Sequence, residues 1–235
     1  MKAMKTVEWQ PPRNHNGNHA VFSPSQPSWL NYDIEEVIEK FNNRFRTAIG
    51  TELHAYAEDS IVLSNKAESI KELRKMVRLF IFENNKFRNP VTGRDELTNY
   101  GRQILGQIRM LNDDVFDTLQ AYINDAIGFM MRPEEELYYS DLFYGTADAI
   151  SFRDGYLRIH DLKTGVMPAK IDQLETYAAL FCLMYNVRPS SIEMELRIYQ
   201  NREVLIHHPE PKDILAIVNK IRKFDRALTS MDEEN

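Results

Sequence analysis

The sequence predicts a mixed α/β domain in which a helical first half gives way to a sheet flanked by helices. Three observations lead there. Apolar residues recur at helical spacing in residues 66–83 and 112–130. β-type sequence follows from Glu136 to Phe143. A polar turn, Arg153–Asp154–Gly155, then separates two apolar-rich segments, Thr146–Phe152 and Tyr156–Leu162, the signature of a β-hairpin.

Taken in order, residues 1–20 are polar and interrupted by Pro11, Pro12 and Gly17, which predicts a flexible N-terminal segment. Residues 21–235 are expected to form one domain, with a helical elaboration at about 66–130 and a core at about 134–229. Ser23–Pro27 is turn-like, and Trp29 and Leu30 can anchor it. Asp33, with Glu36 three residues later, predicts a capped helix to about Phe45. Gly50 is expected to divide it from a second helical piece, Thr51–Val62, which carries His54 one turn before Glu58. Over 66–83, Ile70, Leu73, Val77, Phe80 and Ile81 form an apolar side, with Lys71, Arg74, Lys75 and Arg78 on the polar side. Asn84–Thr98, with Pro90 and Gly93, reads as a loop carrying Lys86, Arg88 and Arg94. Asn112–Met130 is a helix by its stripe of Val115, Leu119, Tyr122, Ile123 and Ile127. Pro133 ends the helical half. After the hairpin come a helix over Lys170–Tyr185, strands at Glu193–Gln200 and Glu203–His207, and a terminal helix beyond Pro211 and Asp213. That order fits one α/β domain.

Composition is ordinary for a soluble protein, 43% hydrophobic and 27% charged. No apolar run is long enough to cross a bilayer and the N-terminus lacks a signal-peptide core, so a cytoplasmic location without membrane association is expected. A single cysteine, Cys182, excludes an internal disulfide and a multi-cysteine cluster within one chain. The net charge of −6 argues against a non-specific nucleic-acid coat. It leaves room for an enzyme that acts on DNA through a local basic track.

The candidate chemistry centres on Asp148, Asp161 and Lys163. Asp148 stands in the first hairpin strand; Asp161 and Lys163 are two apart in the second and share a face. Such charges on a sheet are costly unless they bind something. Converging aspartates from adjacent strands suit Mg²⁺ or Mn²⁺, and the backbone carbonyl of Leu162 can add an oxygen. Lys163 can then stabilise phosphate charge or help deprotonate a water. A surface ion pair between Asp161 and Lys163 explains their common face but leaves Asp148 without a role. Of the acidic run Glu134–Glu136, Glu136 is the expected further ligand, with Glu135 taking its place under a register shift. Gln173 and Tyr177, four apart on a helix, share a face and can hold substrate; read alone, they are a surface residue and a core-edge aromatic. His54 is a metal ligand or phosphate contact, against the ordinary alternative of a satisfied helical histidine.

Gly145–Thr146–Ala147–Asp148, then Ile159–His160–Asp161–Leu162–Lys163–Thr164–Gly165, then Gln173 and Tyr177, together resemble the PD-(D/E)xK nuclease superfamily, in its RecB- and Cas4-like branch. His19–Ser25, Trp29–Leu30–Asn31 and Gly50–Glu58 are similar to a group of RecB-like proteins common in bacteriophages and prophages. That group often carries Cys after the Trp–Leu–Asn element, where this chain has Tyr32. With one cysteine in all, the iron–sulfur cluster of many Cas4-like relatives is not expected. The likeness covers about residues 19–59 and 134–185.

The resemblance implies a restriction-endonuclease-like mixed sheet and a nuclease core at 134–229. It assigns metal to Asp148 and Asp161, catalysis to Lys163 with Gln173 and Tyr177 in the following helix, and a supporting place to His54. The implied activity is Mg²⁺- or Mn²⁺-dependent hydrolysis of DNA, as an exonuclease in phage DNA recombination, repair or processing. DNA is then the partner, with phage recombination or single-strand-binding proteins beside it and a homo-oligomer compatible with processive action. In a phage-encoded protein, the cytoplasm is that of the bacterial host. The alternatives are a catalytically silent DNA-binding module and a protein-interaction accessory retaining the fold.

Overall fold

A computed structural model describes residues 22–165 and 170–232. The chain divides into two compact units, residues 1–45 and 46–235. In the first, the Trp29 indole N–H donates to the Ser23 carbonyl at 3.0 Å and its ring meets Phe22 edge-on, so Trp29 anchors the segment; Leu30, also expected to do so, is exposed. Helix α1 (Ile34–Val62) then begins at a reciprocal cap. The Glu36 N–H donates to Asp33 Oδ1 at 2.8 Å and the Asp33 N–H donates to Glu36 Oε2 at 2.9 Å. The expected flexibility of residues 1–20 falls outside the described residues.

The expected break at Gly50 is not there; α1 continues through it. Glycine in a helix interior costs about 1 kcal/mol relative to alanine, so its place needs a reason. A Cβ at position 50 would lie 3.0 Å from Thr164 Oγ1. The glycine admits the segment that follows the central strand.

Helix α2 (Ile70–Asn84) is capped by Ser69 and buries Leu73, Val77 and Ile81, the stripe expected from its spacing. The loop expected over 84–98 contains instead a two-stranded hairpin, β1 (Lys86–Arg88) and β2 (Asp95–Leu97). Three-residue strands are too short to show alternation, and Asn89 side-chain bonds to Glu96, Val91 and Thr92 shape the turn. Helix α3 (Asn99–Met110), capped by Thr98, is an addition to the expected elements. Helix α4 (Asp113–Gly128) is capped by Asn112 and buries Phe116, Leu119, Tyr122 and Ile123.

The principal sheet contains β3 (Arg132–Ser140), β4 (Phe143–Arg153), β5 (Tyr156–Leu162), β6 (Glu193–Gln200) and β7 (Glu203–His207), side by side in that order. All neighbours are antiparallel except β5 and β6, which are joined by a crossover through α5 (Asp172–Met184). The β4–β5 turn has Asp154 at φ 51° and Gly155 at φ 78°, the left-handed pair that matches strand twist. Strand β3 starts at Arg132, earlier than Glu136, and Phe143 opens β4 rather than closing β3. The chain ends in α6 (Pro211–Asp232).

The sheet is packed on both faces. On one, Leu157, Ile159, Leu196 and Ile198 bury against Leu174, Ala178 and Phe181 of α5 and Ile214 and Val218 of α6. On the other, Tyr199 packs edge-on against Tyr122 of α4 and donates to Asp125 Oδ2 at 2.7 Å. With its hydroxyl proton so used, Tyr199 accepts from His160 Nδ1–H at 3.3 Å. Burial and the nearby arginines hold this histidine neutral, its pKa lowered to about 3. The architecture is thus a helical N-terminal region followed by a mixed sheet flanked by helices, as the sequence predicts. Among the described residues no helix is long and apolar enough to cross a membrane.

Cys182 on α5 is buried, which pushes its thiol up to about 11. At pH 8 about one part in a thousand is thiolate. A colorimetric disulfide reagent should therefore leave Cys182 unmodified in the folded protein and titrate one thiol after denaturation; rapid reaction of the native protein would contradict its packing.

Candidate metal centre

Two strand registers create the site. The β3–β4 ladder pairs Pro133 with Ala149 and Glu135 with Ala147, which sets Glu134 across from Asp148. The β4–β5 ladder runs as far as Ala149 opposite His160, one step short of Asp148 and Asp161. Three carboxylates thus lie in one row across three adjacent strands. The backbone is irregular at this row. Glu134 has φ 48°, a left-handed conformation that a non-glycine residue adopts only when its surroundings enforce it. Beyond the last β4–β5 pair the Leu162 N–H donates to Asp148 Oδ2 at 2.8 Å. A side chain has replaced the neighbouring strand as acceptor.

Helix α1 supplies an imidazole to this row. His54 Nδ1 lies 3.6 Å from Asp148 Oδ2. His54, Glu134 and Asp148 each offer one ligating atom, and these atoms all lie within 4.8 Å of one another. The three line an open cavity with Thr47, Gly50, Thr51, Ala55 and Glu58. Partial desolvation, and then the Asp148 charge, raise the Glu134 pKa, while His54 opposes them. Two carboxylates held close with little positive charge between them favour either a proton or a cation. Their donor set, two oxygens and a nitrogen, can hold a divalent metal ion.

Asp161 is the buried member, 2% exposed. Its Oδ1 accepts from Lys163 Nζ at 2.9 Å, and its buried Oδ2 has no hydrogen-bond partner among the described residues. Desolvation and then the Asp148 charge push its pKa up; Lys163 and His54 counter them. An orphaned, solvent-shielded carboxylate oxygen beside a second carboxylate fits a cation at this place. The Lys163 ammonium also donates to Gln173 Oε1 at 3.1 Å, and Gln173 Nε2 donates to the Tyr177 hydroxyl at 3.4 Å. One turn of α5 is thereby wired to β5. Gly145 makes room for this arrangement: a Cβ there would lie 3.0 Å from the Tyr177 ring.

The structure brings together His54, Asp148, Asp161, Lys163, Gln173 and Tyr177 from α1, β4, the end of β5 and α5. Leu162 enters through its backbone N–H, which donates to Asp148. Glu136 pairs with Thr146 further along β3 and does not belong to the convergent trio; Glu134 does. The sequence pattern begins the strand at Glu136, whereas β3 starts at Arg132, so Glu134 falls before the expected strand. Glu58 also lines the cavity, and its spacing of one turn from His54 was a readable signal.

No protein-family model matches this chain, and no curated protein or solved structure is significantly similar to it. The site therefore has to be judged on its chemistry.

Isothermal titration with Mn²⁺ checks the ligand set. Asp148→Asn and Glu134→Gln should each weaken binding by about tenfold or more, whereas Glu136→Gln should leave it unchanged. Loss of binding in the Glu136 variant alone would transfer the ligand role to that residue.

Proposed function

We propose that this chain is a metal-dependent DNA nuclease of the PD-(D/E)xK superfamily, in its RecB- and Cas4-like branch, and that it acts as an exonuclease. The observation that carries the reading is the buried Asp161 at the end of β5, with one oxygen on Lys163 and the other without a partner among the described residues, beside Asp148. That is the arrangement a phosphodiester hydrolase needs: a cation position flanked by an ammonium.

His54, Glu134, Asp148 and Asp161 would hold Mg²⁺ or Mn²⁺, with the Leu162 carbonyl as a further donor. The ion, when bound, supplies Lewis acidity toward the phosphate and lowers the pKa of water. Asp161 and Gln173 orient Lys163 through their two hydrogen bonds, so that its ammonium can neutralise charge developing on a phosphate oxygen or take part in proton transfer. Tyr177, bonded to Gln173, presents a hydroxyl and a ring to the substrate. Burial around Asp161 strengthens each of these electrostatic contacts. A lone, buried cysteine gives the chain no ligand set for an iron–sulfur cluster. The reading places 21–235 as one nuclease domain working on DNA in the cytoplasm, in phage recombination, repair or processing.

The test compares wild type with Lys163→Ala on end-labelled linear and covalently closed DNA, single- and double-stranded, in Mn²⁺, Mg²⁺ or EDTA. Cleavage should require metal, spare closed DNA, and fall at least about 100-fold in the variant. Tight DNA binding without cleavage by either protein would sink the enzyme reading in favour of a silent binding module.

A further inference from the structure

A second charged site lies on the far side of α4. A cleft of about 240 Å³ is lined by Arg74, Arg78, Ile108, Arg109 and Phe116. Three of these residues carry guanidinium groups and none carries a carboxylate. Arg74 is fixed: its Nε and Nη2 donate to Asp113 Oδ1 at 3.0 and 2.7 Å, its Nη2 donates to the Leu111 carbonyl at 2.8 Å, and its guanidinium stacks over the Phe116 ring at 4.1 Å. Arg78 is tethered by one bond, Nε to the Arg74 carbonyl at 3.0 Å. Among the described residues neither Arg78 nor Arg109 forms an ion pair. Two uncompensated guanidinium groups around a third repel one another. In a chain of net charge −6, such a local concentration of positive charge selects an anion. The planar donor fork of arginine matches the oxygens of a phosphate. Lys71 and Lys75 share the polar side of α2 yet do not line the cleft, which separates it from a merely solvated helix face.

Its position gives the anion a meaning. Asp114, Val115 and Thr118 of α4 line a small cavity with Leu162, Lys163 and Thr164, while Phe116 faces the arginines. The cleft thus lies on the side of α4 turned away from the sheet, whereas the Lys163 ammonium is on the α5-facing side of that sheet with Asp161 and Gln173, so only an extended ligand could touch both. We propose that Arg74, Arg78 and Arg109 bind a backbone phosphate of DNA. The identity of the ligand as DNA rests on the nuclease reading; the anion chemistry of the cleft does not.

The experiment measures binding of the full chain to a fluorescein-labelled 20-bp duplex, a length of about two helical turns, in EDTA across a salt series. Wild type is compared with the double variant Arg78→Ala/Arg109→Ala, both at exposed positions. The variant should bind about tenfold more weakly or worse, and the slope of log K against log[salt] should flatten by about 0.9, the contribution of the one phosphate that the protein no longer neutralises. Arg78→Lys/Arg109→Lys should restore the slope but only part of the affinity. Equal affinity and slope in wild type and the alanine variant would overturn the cleft. Cleavage assays on the same proteins with Mn²⁺ keep the two readings apart. A wild type that cleaves, with an alanine variant that binds as tightly, overturns the cleft and leaves the nuclease standing. A wild type that binds through these arginines and never cleaves supports the cleft and removes the nuclease.

Discussion

An ionised carboxylate removed from water must be neutralised, protonated or bound to a cation, and Asp161 imposes that requirement on the centre of this fold. It sits on the middle strand of the sheet, almost wholly buried, with another aspartate beside it. One lysine meets half of its demand. The arrangement around it follows from the other half: Asp148 is turned to take the Leu162 N–H, His54 approaches from α1, and Gln173 keeps Lys163 in place. A hydrophobic residue at position 161 would pack more cheaply.

What keeps Asp161 at this depth is the opposite face of the sheet. His160 is the adjacent residue on β5, so its side chain projects the other way. It is locked between the Phe129 and Tyr199 rings and bonded to the Tyr199 hydroxyl, which Asp125 holds in turn. Arg197 joins that group through Asp125 and Glu195, and Arg158 through Glu195. Strand β5 is therefore clamped by polar bonds on the face toward α4 and by aliphatic packing on the face toward α5. A carboxylate mounted on so constrained a strand has little freedom to swing away from its neighbours, which is the supporting shell a reactive site needs.

Much of this was legible in the chain. The hairpin announced itself through Asp154–Gly155, and β6 and β7 through alternation, because those signals are local. The spacing of Asp161 and Lys163 was enough to place them on one face, and their contact follows from it. Gly50 misled because a glycine in a helical pattern looks the same whether it ends the helix or admits a neighbour; only the approach of Thr164 distinguishes the two. Glu134 was missed for an equally physical reason. It lies before the expected start of β3, on a left-handed backbone that leaves no composition signal. The β1–β2 hairpin escaped notice because its strands have three residues each.

The ligands and their partners come from widely separated parts of the chain: α1 for His54, then β3, β4, β5 and α5. Contacts of that separation are among the last to close, since the loop entropy must be met before they return anything. A growing chain that has emerged only as far as the β4–β5 turn contains His54, Glu134 and Asp148 but neither Asp161 nor Lys163. Until β5 is inserted between β4 and β6, the charges of the candidate centre do not coexist in one place. The topology therefore acts as an assembly interlock, in which the full cluster of charges arrives with the finished sheet and disappears with it when the protein unfolds.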